Sequence, residues 1–303
     1  MSKKRNVLLI QVDGKFPNLA LMKLSTYHKN LGDRVFLNHC SNPNIVYISC
    51  IFTKNAWRVS SIVNFYSAIF NVETVLIGGS GVSLSVSLPD YIEFLEPDLD
   101  LYGIDYMIGF SSRGCIRNCG FCIVPKKEGM IREHKPIESL CSRSKLVLLD
   151  NNFLASPLWE HKLQYIVDKG IKVNFNQGLD IRLINERNAE LLSQVKYYDY
   201  HFKKRRLYFA WDNILDEKKV LKGIEILNNV GIPNHHLMFY VLIGYNSSFE
   251  EDYYRVKKLI DLGILPFIMP YNEHKSSLTR WINRGYYRFI PFKKYKKGGG
   301  NTR

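Results

Sequence analysis

Short apolar runs alternate with amphipathic stretches along most of this chain. Val7–Val12, bounded by polar residues, predicts a short buried strand. Asn18–Asn30 follows with Leu21, Leu24 and Tyr27 spaced for one helical face, and Gly32 supplies a stop. Val35–Leu37 and Ile45–Ile51 predict two further strands, and Ser60–Phe70 a second helix. Val75-Leu76-Ile77 is then a strand running into Gly78-Gly79-Ser80-Gly81. Strands that alternate with helices imply a parallel, doubly wound α/β sheet. The glycine turn suits a tight strand exit or a phosphate cradle, and the plain turn is the favoured reading.

Pro89–Leu101 interrupts this pattern and reads as a linker. Beyond it the alternation resumes. Strands are predicted at Tyr106–Phe110, Leu146–Asp150, Lys172–Phe175, Leu207–Trp211, Leu237–Ile243 and Leu265–Met269. Helices are predicted between them at Pro157–Lys169, Asn185–Val195, Asp216–Val230 and Glu250–Leu262. Ser248 and Glu251 form a capping box at the last of these. Asp168-Lys169-Gly170, Asn229-Val230-Gly231 and Asp261-Leu262-Gly263 each end a helix just before a strand, with glycine at the left-handed position. This arrangement predicts an incomplete (β/α) barrel. The expected layout is a doubly wound domain over residues 1–88, a linker over 89–101, a barrel over 102–285 and a tail over 286–303.

The densest chemistry lies just after the first barrel strand, in Cys115-Ile116-Arg117-Asn118-Cys119-Gly120-Phe121-Cys122. Three thiolates at such short spacing let one loop wrap a metal centre. Iron–sulfur clusters usually take four cysteines. Three leave one iron open to a substrate or cofactor. Two closed arrangements compete: structural zinc with His134 or Cys141 as fourth ligand, and an electron-transfer cluster completed by Cys141.

The C-x3-C-x2-C spacing with Phe121 before the third cysteine resembles the signature of the radical S-adenosylmethionine superfamily. The wider string from Ser112-Arg113-Gly114-Cys115 through Phe121-Cys122-Ile123-Val124-Pro125 to Gly129 looks most like its cobalamin-domain and methylthiotransferase branches. The resemblance implies a [4Fe–4S] cluster on Cys115, Cys119 and Cys122, with S-adenosylmethionine bound at the fourth iron. It also implies reductive cleavage to a 5′-deoxyadenosyl radical that abstracts hydrogen from a substrate, and a reductant such as flavodoxin or ferredoxin. The superfamily's six-stranded partial barrel agrees with the second half of the chain. Pro17-Asn18-Leu19-Ala20-Leu21, Leu31–Val35 and Gly78-Gly79 resemble a Rossmann-like, cobalamin-binding-type domain. No Asp-x-His-x-x-Gly motif occurs, so cobalamin carried on an axial histidine is not expected. Only Cys40 and Cys50 precede the motif, which argues against the second cluster of a methylthiotransferase.

In βα barrels active sites collect where strands end, which directs attention to the polar strand exits. Asp150 and Asn151, with Asn152, match the place where the superfamily binds the cofactor's amino group or ribose; helix capping is the competing role. Gln177 and Asp180 suit ribose hydroxyls, and Arg182 suits a carboxylate paired in bidentate fashion. Asp212 faces cofactor or substrate. Leu242-Ile243-Gly244 resembles a loose form of the adenine-contacting G-x-I-x-G-x-x-E segment, with Tyr240 at the first glycine position and Ser247 at the acid. Met269-Pro270-Tyr271-Asn272 is expected to line the substrate cavity. His235 and His236 begin a strand at its far end, where a structural role is expected.

Six cysteines in 303 residues, half of them in one cluster, read as a reducing compartment rather than a disulfide scaffold. The apolar run behind Met1–Arg5 is too short for a secretory signal, and no run is long enough to span a bilayer, so a cytoplasmic protein is expected. The net charge of +14 is concentrated in Lys203–Arg206 and in the tail beyond Arg284, where Tyr286, Tyr287, Phe289, Phe292 and Tyr295 interleave with bases. Such patches fit a nucleic-acid substrate, or lysine-rich solvated faces. The contrasting function is a non-enzymatic nucleic-acid-binding protein built around zinc or a closed cluster.

Overall fold

β1 (Asn6–Gln11) sends Val7 and Leu9 to one side and Leu8 and Ile10 to the other, and all four are buried. A strand buried on both faces needs cover on both. α1 (Leu19–Asn30) supplies it on one face, where Leu21 and Leu24 join Val7, Leu9 and Ile45. Asn18 opens α1 by accepting the Leu21 N–H, as an N-cap should. β2 (Arg34–Leu37) and β3 (Ile45–Ser49) flank β1, and Val59 of α2 (Trp57–Ile69) joins Leu8, Ile10, Val46 and Ile48 on the opposite face. β4 (Thr74–Gly78) completes a parallel sheet of order β2-β1-β3-β4. The short α3 (Asp90–Glu93) adds Ile92 to the α1 side. The computed structural model describes residues 4–70, 72–271 and 276–298. The chain divides into two compact units, Met1–Ile108 and Gly109–Arg303.

The glycine turn after β4 has a local explanation. Gly79 has φ +98°, and a Cβ there would lie 2.2 Å from the Cys50 carbonyl oxygen. A Cβ on Gly81 would lie 2.7 Å from the Phe52 backbone. These glycines let one strand exit cross another, which is the plain-turn role. Asp13 organises the crossed segment: its carboxylate accepts from the N–H groups of Ile51 (2.8 Å) and Phe52 (2.9 Å) and from Asn55 Nδ2 (3.0 Å).

β5 (Met107–Gly109) marks the passage from the first unit to the second. A two-residue antiparallel pair follows, β6 (Ser112–Arg113) with β7 (Arg132–Glu133), separated by α4 (Val124–Lys127). After α5 (Ile137–Leu140) the βα rhythm sets in: β8 (Lys145–Leu148), α6 (Trp159–Asp168), β9 (Lys172–Phe175), α7 (Glu186–Gln194), β10 (Lys196–Tyr197). It continues through β11 (Leu207–Ala210), α8 (Glu217–Asn229), β12 (Leu237–Ile243), α9 (Phe249–Asp261) and β13 (Leu265–Pro270). Gly170, Gly231 and Gly263 all have positive φ at the expected helix–strand joints, and the Ser248–Glu251 capping box is formed. The fold is α/β with parallel sheets.

The predicted six strands do not form one ladder. β10 occupies the edge of β9, giving the order β10-β9-β8-β5, while β11-β12-β13 form a second parallel sheet. A single backbone bond, Leu179 N–H to Tyr208 O (2.7 Å), links the exit of β9 to β11. A two-residue strand has no periodicity to betray it, so β10 was not legible. Tyr197 in β10 bonds His236 Nδ1 at 2.9 Å, which gives that histidine the structural role expected of it.

The segment read as a basic tail is folded where described. After α10 (Ser277–Asn283), Gly285 takes φ +77° and α11 (Phe292–Gly298) returns. Phe292 is buried against Trp281 (ring centroids 5.2 Å) and Tyr253 (5.4 Å). Residues 299–303 lie outside the described residues. Of the tetrabasic run, Lys203 and Lys204 are exposed, whereas Arg205 stacks over Tyr197 at 3.8 Å and Arg206 donates to the His235 carbonyl. Among the described residues no helix is long and apolar enough to cross a membrane.

Burial would raise the Asp13 pKa, but the donors from Ile51, Asn55 and Phe52 outweigh it and hold the carboxyl below its usual range. A depressed folded pKa stabilises the fold above the unfolded value and loses that effect as pH falls through the folded one. Asp13→Asn is therefore expected to cost about 1–3 kcal/mol at neutral pH. Denaturant unfolding of both proteins should show the difference shrinking at acid pH; a pH-independent difference would contradict this assignment.

Candidate metal and cofactor site

Asp150, Asn151 and Asn152 leave β8 in succession, and each holds a successive point of the loop that brings in the cysteines. The Asp150 carboxylate accepts from the N–H of Ser111 (2.7 Å) and of Ser112 (2.8 Å), and from the hydroxyls of Ser111 (2.5 Å) and Ser112 (2.7 Å). Asn151 Oδ1 accepts the Gly114 N–H at 3.0 Å. Asn152 Nδ2 donates to the Cys115 sulfur at 3.4 Å. Three consecutive side chains thus fix Ser111, Ser112, Gly114 and Cys115.

The far side of the loop is tied back onto its own base. Arg113 makes a two-bond pair with Glu128 (2.8 and 2.9 Å), and the Cys115 N–H donates to the Gly129 carbonyl (3.2 Å). Gly114 sits at φ +83°, and a Cβ there would fall 2.2 Å from the Met130 carbonyl oxygen. No side chain fits. At the loop's other end Phe121 meets the edge of Tyr245, just beyond β12 (5.3 Å), and Tyr245 meets Tyr271, just beyond β13 (4.8 Å). Asn272, expected beside Tyr271, lies outside the described residues.

Cys115, Cys119 and Cys122 are partly exposed free thiols on this loop. Their surroundings differ. The Cys115 sulfur accepts from the Arg117 N–H (3.3 Å) as well as from Asn152, and the Cys122 sulfur from the Val124 N–H (3.4 Å). Burial raises the Cys119 thiol; Arg182 pulls it down, while Cys122, Asp212 and Cys115 push it up again. Burial likewise raises Cys122, opposed by the Val124 N–H and reinforced by Cys115 and Asp212. Arg182, Asp212 and the other two cysteines are thus near enough to Cys119 to act on it electrostatically. Cys141 stands apart at the end of α5, its thiol pushed up to about 11 by burial and by Glu138.

At the exit of β9, Asp180 is the centre of a charged net. It accepts from Arg182 Nε (2.7 Å) and Nη2 (3.2 Å), from Arg117 Nε inside the cysteine loop (2.9 Å), and from Asn152 Nδ2 (3.5 Å). Burial would raise the Asp180 carboxyl, but Arg182 and then Arg117 hold it below its usual range. Arg182 also bonds Asp216 at 2.9 Å, so its guanidinium is already paired with two carboxylates. Gln177 is exposed and makes no hydrogen bond among the described residues. Asp212 accepts the Leu242 N–H through Oδ1 (3.1 Å) and is raised by burial against that bond. Ile243 is buried at the end of β12.

The predicted residues thus gather at one end of the second unit, but several do other work than expected. Asp150 and Asn151 are spent on the loop backbone, and Asp150 does not cap the helical turn at Phe153–Ala155. Arg182 is spent on Asp180 and Asp216. Two contributors were missed. Arg117 latches the loop to Asp180, and a basic residue between two cysteines was a usable signal. Arg255, fully buried, donates to the carbonyls of Trp211 (2.6 Å) and Leu242 (2.9 Å) and pairs with Asp252 (2.5 Å). Asp252 in turn accepts the Gly244 N–H (3.1 Å) and the Ser247 hydroxyl (2.6 Å). From the first turn of α9 it thus ties down the exit of β12.

Three free cysteines on one loop are the donor chemistry of an iron–sulfur site. Backbone N–H groups aimed at the sulfurs are the usual stabilisers of such ligands. Asn152 Oδ1 is buried and has no partner among the described residues, which leaves a spare acceptor beside Cys115. Among the described residues no group of three or more His, Cys, Asp or Glu side chains is placed so that it could hold a metal ion.

No family model matches the chain, and no curated protein matches it by sequence. A solved structure does. The chain is similar to the apo, selenomethionine-labelled form of OxsB, a cobalamin-dependent S-adenosylmethionine radical enzyme, at 14% identity and a TM-score of 0.55. The likeness covers 98% of this chain and 56% of that one. At this identity it is a likeness of fold, and the chain spans little more than half of its neighbour.

Two substitutions test the loop geometry. Asp150→Ala strands two backbone N–H groups and two hydroxyls away from water and should lower stability by about 2–4 kcal/mol. Gly114→Ala should leave the fold's circular dichroism intact but abolish metal uptake, because the Met130 carbonyl must move. Wild-type melting for the first, or wild-type iron content for the second, would contradict the stapled-loop description.

Proposed function

We propose that this chain is a radical S-adenosylmethionine enzyme in which Cys115, Cys119 and Cys122 hold a [4Fe–4S] cluster. The observation that carries the reading is the set of three free thiols on one stapled loop, two of them receiving N–H donors. The likeness of fold to a radical enzyme supports it. In this reading the two units are a Rossmann-like, cobalamin-binding-type domain and a partial (β/α)6 barrel.

When bound, the cluster and S-adenosylmethionine supply a carbon radical able to abstract hydrogen from an unreactive C–H bond. This chain's residues position and shield. Asp150 and Asn151 fix the course of the loop that carries the thiols. Burial disfavours the thiolate at Cys119 and Cys122, and metal binding there would displace their protons. Asn152 Oδ1 would accept an N–H or O–H from a bound cofactor, and Asp212 would offer the carboxylate oxygen not used by Leu242. Asp252 and Arg255 shape the Leu242–Tyr245 backbone for adenine. Phe121, Tyr245 and Tyr271 present an aromatic wall that excludes water beside the loop, as radical chemistry requires.

Partners follow from the same reading. The cluster needs a small electron donor such as flavodoxin or ferredoxin, and a cytoplasmic setting suits its reduced thiols. A nucleic-acid substrate is served by Lys203 and Lys204, though the neighbouring Arg205 and Arg206 are engaged in packing. Cobalamin is a secondary expectation. The zinc-based binding module has less support, because it requires a fourth ligand that closes the site.

Anaerobic reconstitution with iron and sulfide is expected to give one [4Fe–4S] cluster per chain, an electron paramagnetic resonance signal perturbed by S-adenosylmethionine, and 5′-deoxyadenosine on reduction. Alanine at Cys115, Cys119 or Cys122 should remove the cluster, and Cys141→Ala should keep it. Stoichiometric zinc in the purified chain, or loss of the cluster in Cys141→Ala, would overturn the proposal.

A further inference from the structure

We infer that Asn152 is a positioning residue that raises the reduction potential of the metal centre by donating its side-chain N–H to the Cys115 sulfur. The inference rests on the cluster assignment above and goes beyond it to how the centre is tuned. Asn152 is 3% exposed, so its amide works in a low-dielectric setting where a hydrogen bond counts for more. The amide's orientation is dictated by its neighbours. Nδ2 lies 3.4 Å from Cys115 Sγ and 3.5 Å from Asp180 Oδ2, both acceptors, and turning the group over would set Oδ1 against a thiolate and a carboxylate.

The side chain is also held in place from behind. The Asn152 carbonyl accepts the Ala155 N–H at 3.1 Å, and Phe153 and Leu154 beside it are buried. Asp180, which shares the amide, is fixed by Arg117 and Arg182. A donor mounted this firmly acts as part of the cluster's permanent electrostatic environment. The three sulfurs are unequal because of it: Cys115 receives two donors, Cys122 one, and Cys119 none among the described residues. Withdrawing electron density from a cysteinyl sulfur favours the reduced cluster and moves its potential upward.

The test uses full-length chains reconstituted anaerobically, with iron and sulfide content and a redox titration followed by electron paramagnetic resonance. Asn152→Leu keeps the shape and removes the donor; Asn152→Asp places an acceptor and a charge against the sulfur. The cluster that Asn152→Leu does load should titrate at a more negative potential than wild type, with Asn152→Asp more negative still. Should Asn152→Leu misfold, Asn152→Asp carries the test alone. Full loading with an unchanged potential overturns the inference. So does reduced loading whose remaining cluster keeps the wild-type potential, since that marks a purely structural residue. A wild-type chain that takes zinc in place of iron would instead sink the cluster assignment itself.

Discussion

The hydrogen bonds from Asp150, Asn151 and Asn152 to Ser111, Ser112, Gly114 and Cys115 are the constraint on which the rest of the site depends. A loop bearing three thiols has no reason of its own to hold them in one place, since its backbone groups are as well satisfied by water. Here the loop's entry is locked onto the end of β8, a strand whose Leu146, Val147 and Leu148 are fully buried. Rigidity is carried from the sheet core to the sulfurs through three adjacent side chains. Placing the Asp150 carboxylate out of water is costly, and the four donors around it are what make that burial tolerable.

Charge arrangement extends the same logic. Arg117, Asp180, Arg182 and Asp216 form an alternating chain of cations and anions beside the thiols, so positive charge reaches Cys119 without an unpaired guanidinium. On the opposite strands Asp252 and Arg255 hold the ends of β11 and β12 together. In the first case a partly buried net and in the second a buried ion pair fixes geometry next to the place where a ligand would bind. Breaking such a pair by removing one member costs far more than the pair is worth when intact.

Much of this was legible from residue pattern. Strands such as Lys172–Phe175 and Leu237–Ile243 declared themselves because apolar runs of that length, bounded by helix-ending glycines, have few other solutions. The cysteine spacing and Phe121 named the loop. What pattern could not show was which polar residue would face a ligand and which would serve the scaffold. Asp150 and Ser111 lie 39 positions apart, and nothing local says that the carboxylate is consumed there. Arg182 looked free for a carboxylate until Asp216, 34 positions on, was seen to share it. The two-residue β10 was missed because it is too short to show a period, and the helical return of Phe292–Gly298 because Phe292 and Tyr295 are its only large apolar residues among lysines.

The central claim is that three cysteines bind a cluster whose fourth iron is open to the amino-acid end of S-adenosylmethionine. Electron–nuclear double resonance on the reduced, reconstituted chain, with the amino nitrogen of S-adenosylmethionine isotopically labelled, tests that contact directly. The account predicts a hyperfine coupling strong enough to place the nitrogen on iron. A cluster that shows no such coupling, or whose fourth iron carries a side chain of the protein, would contradict it.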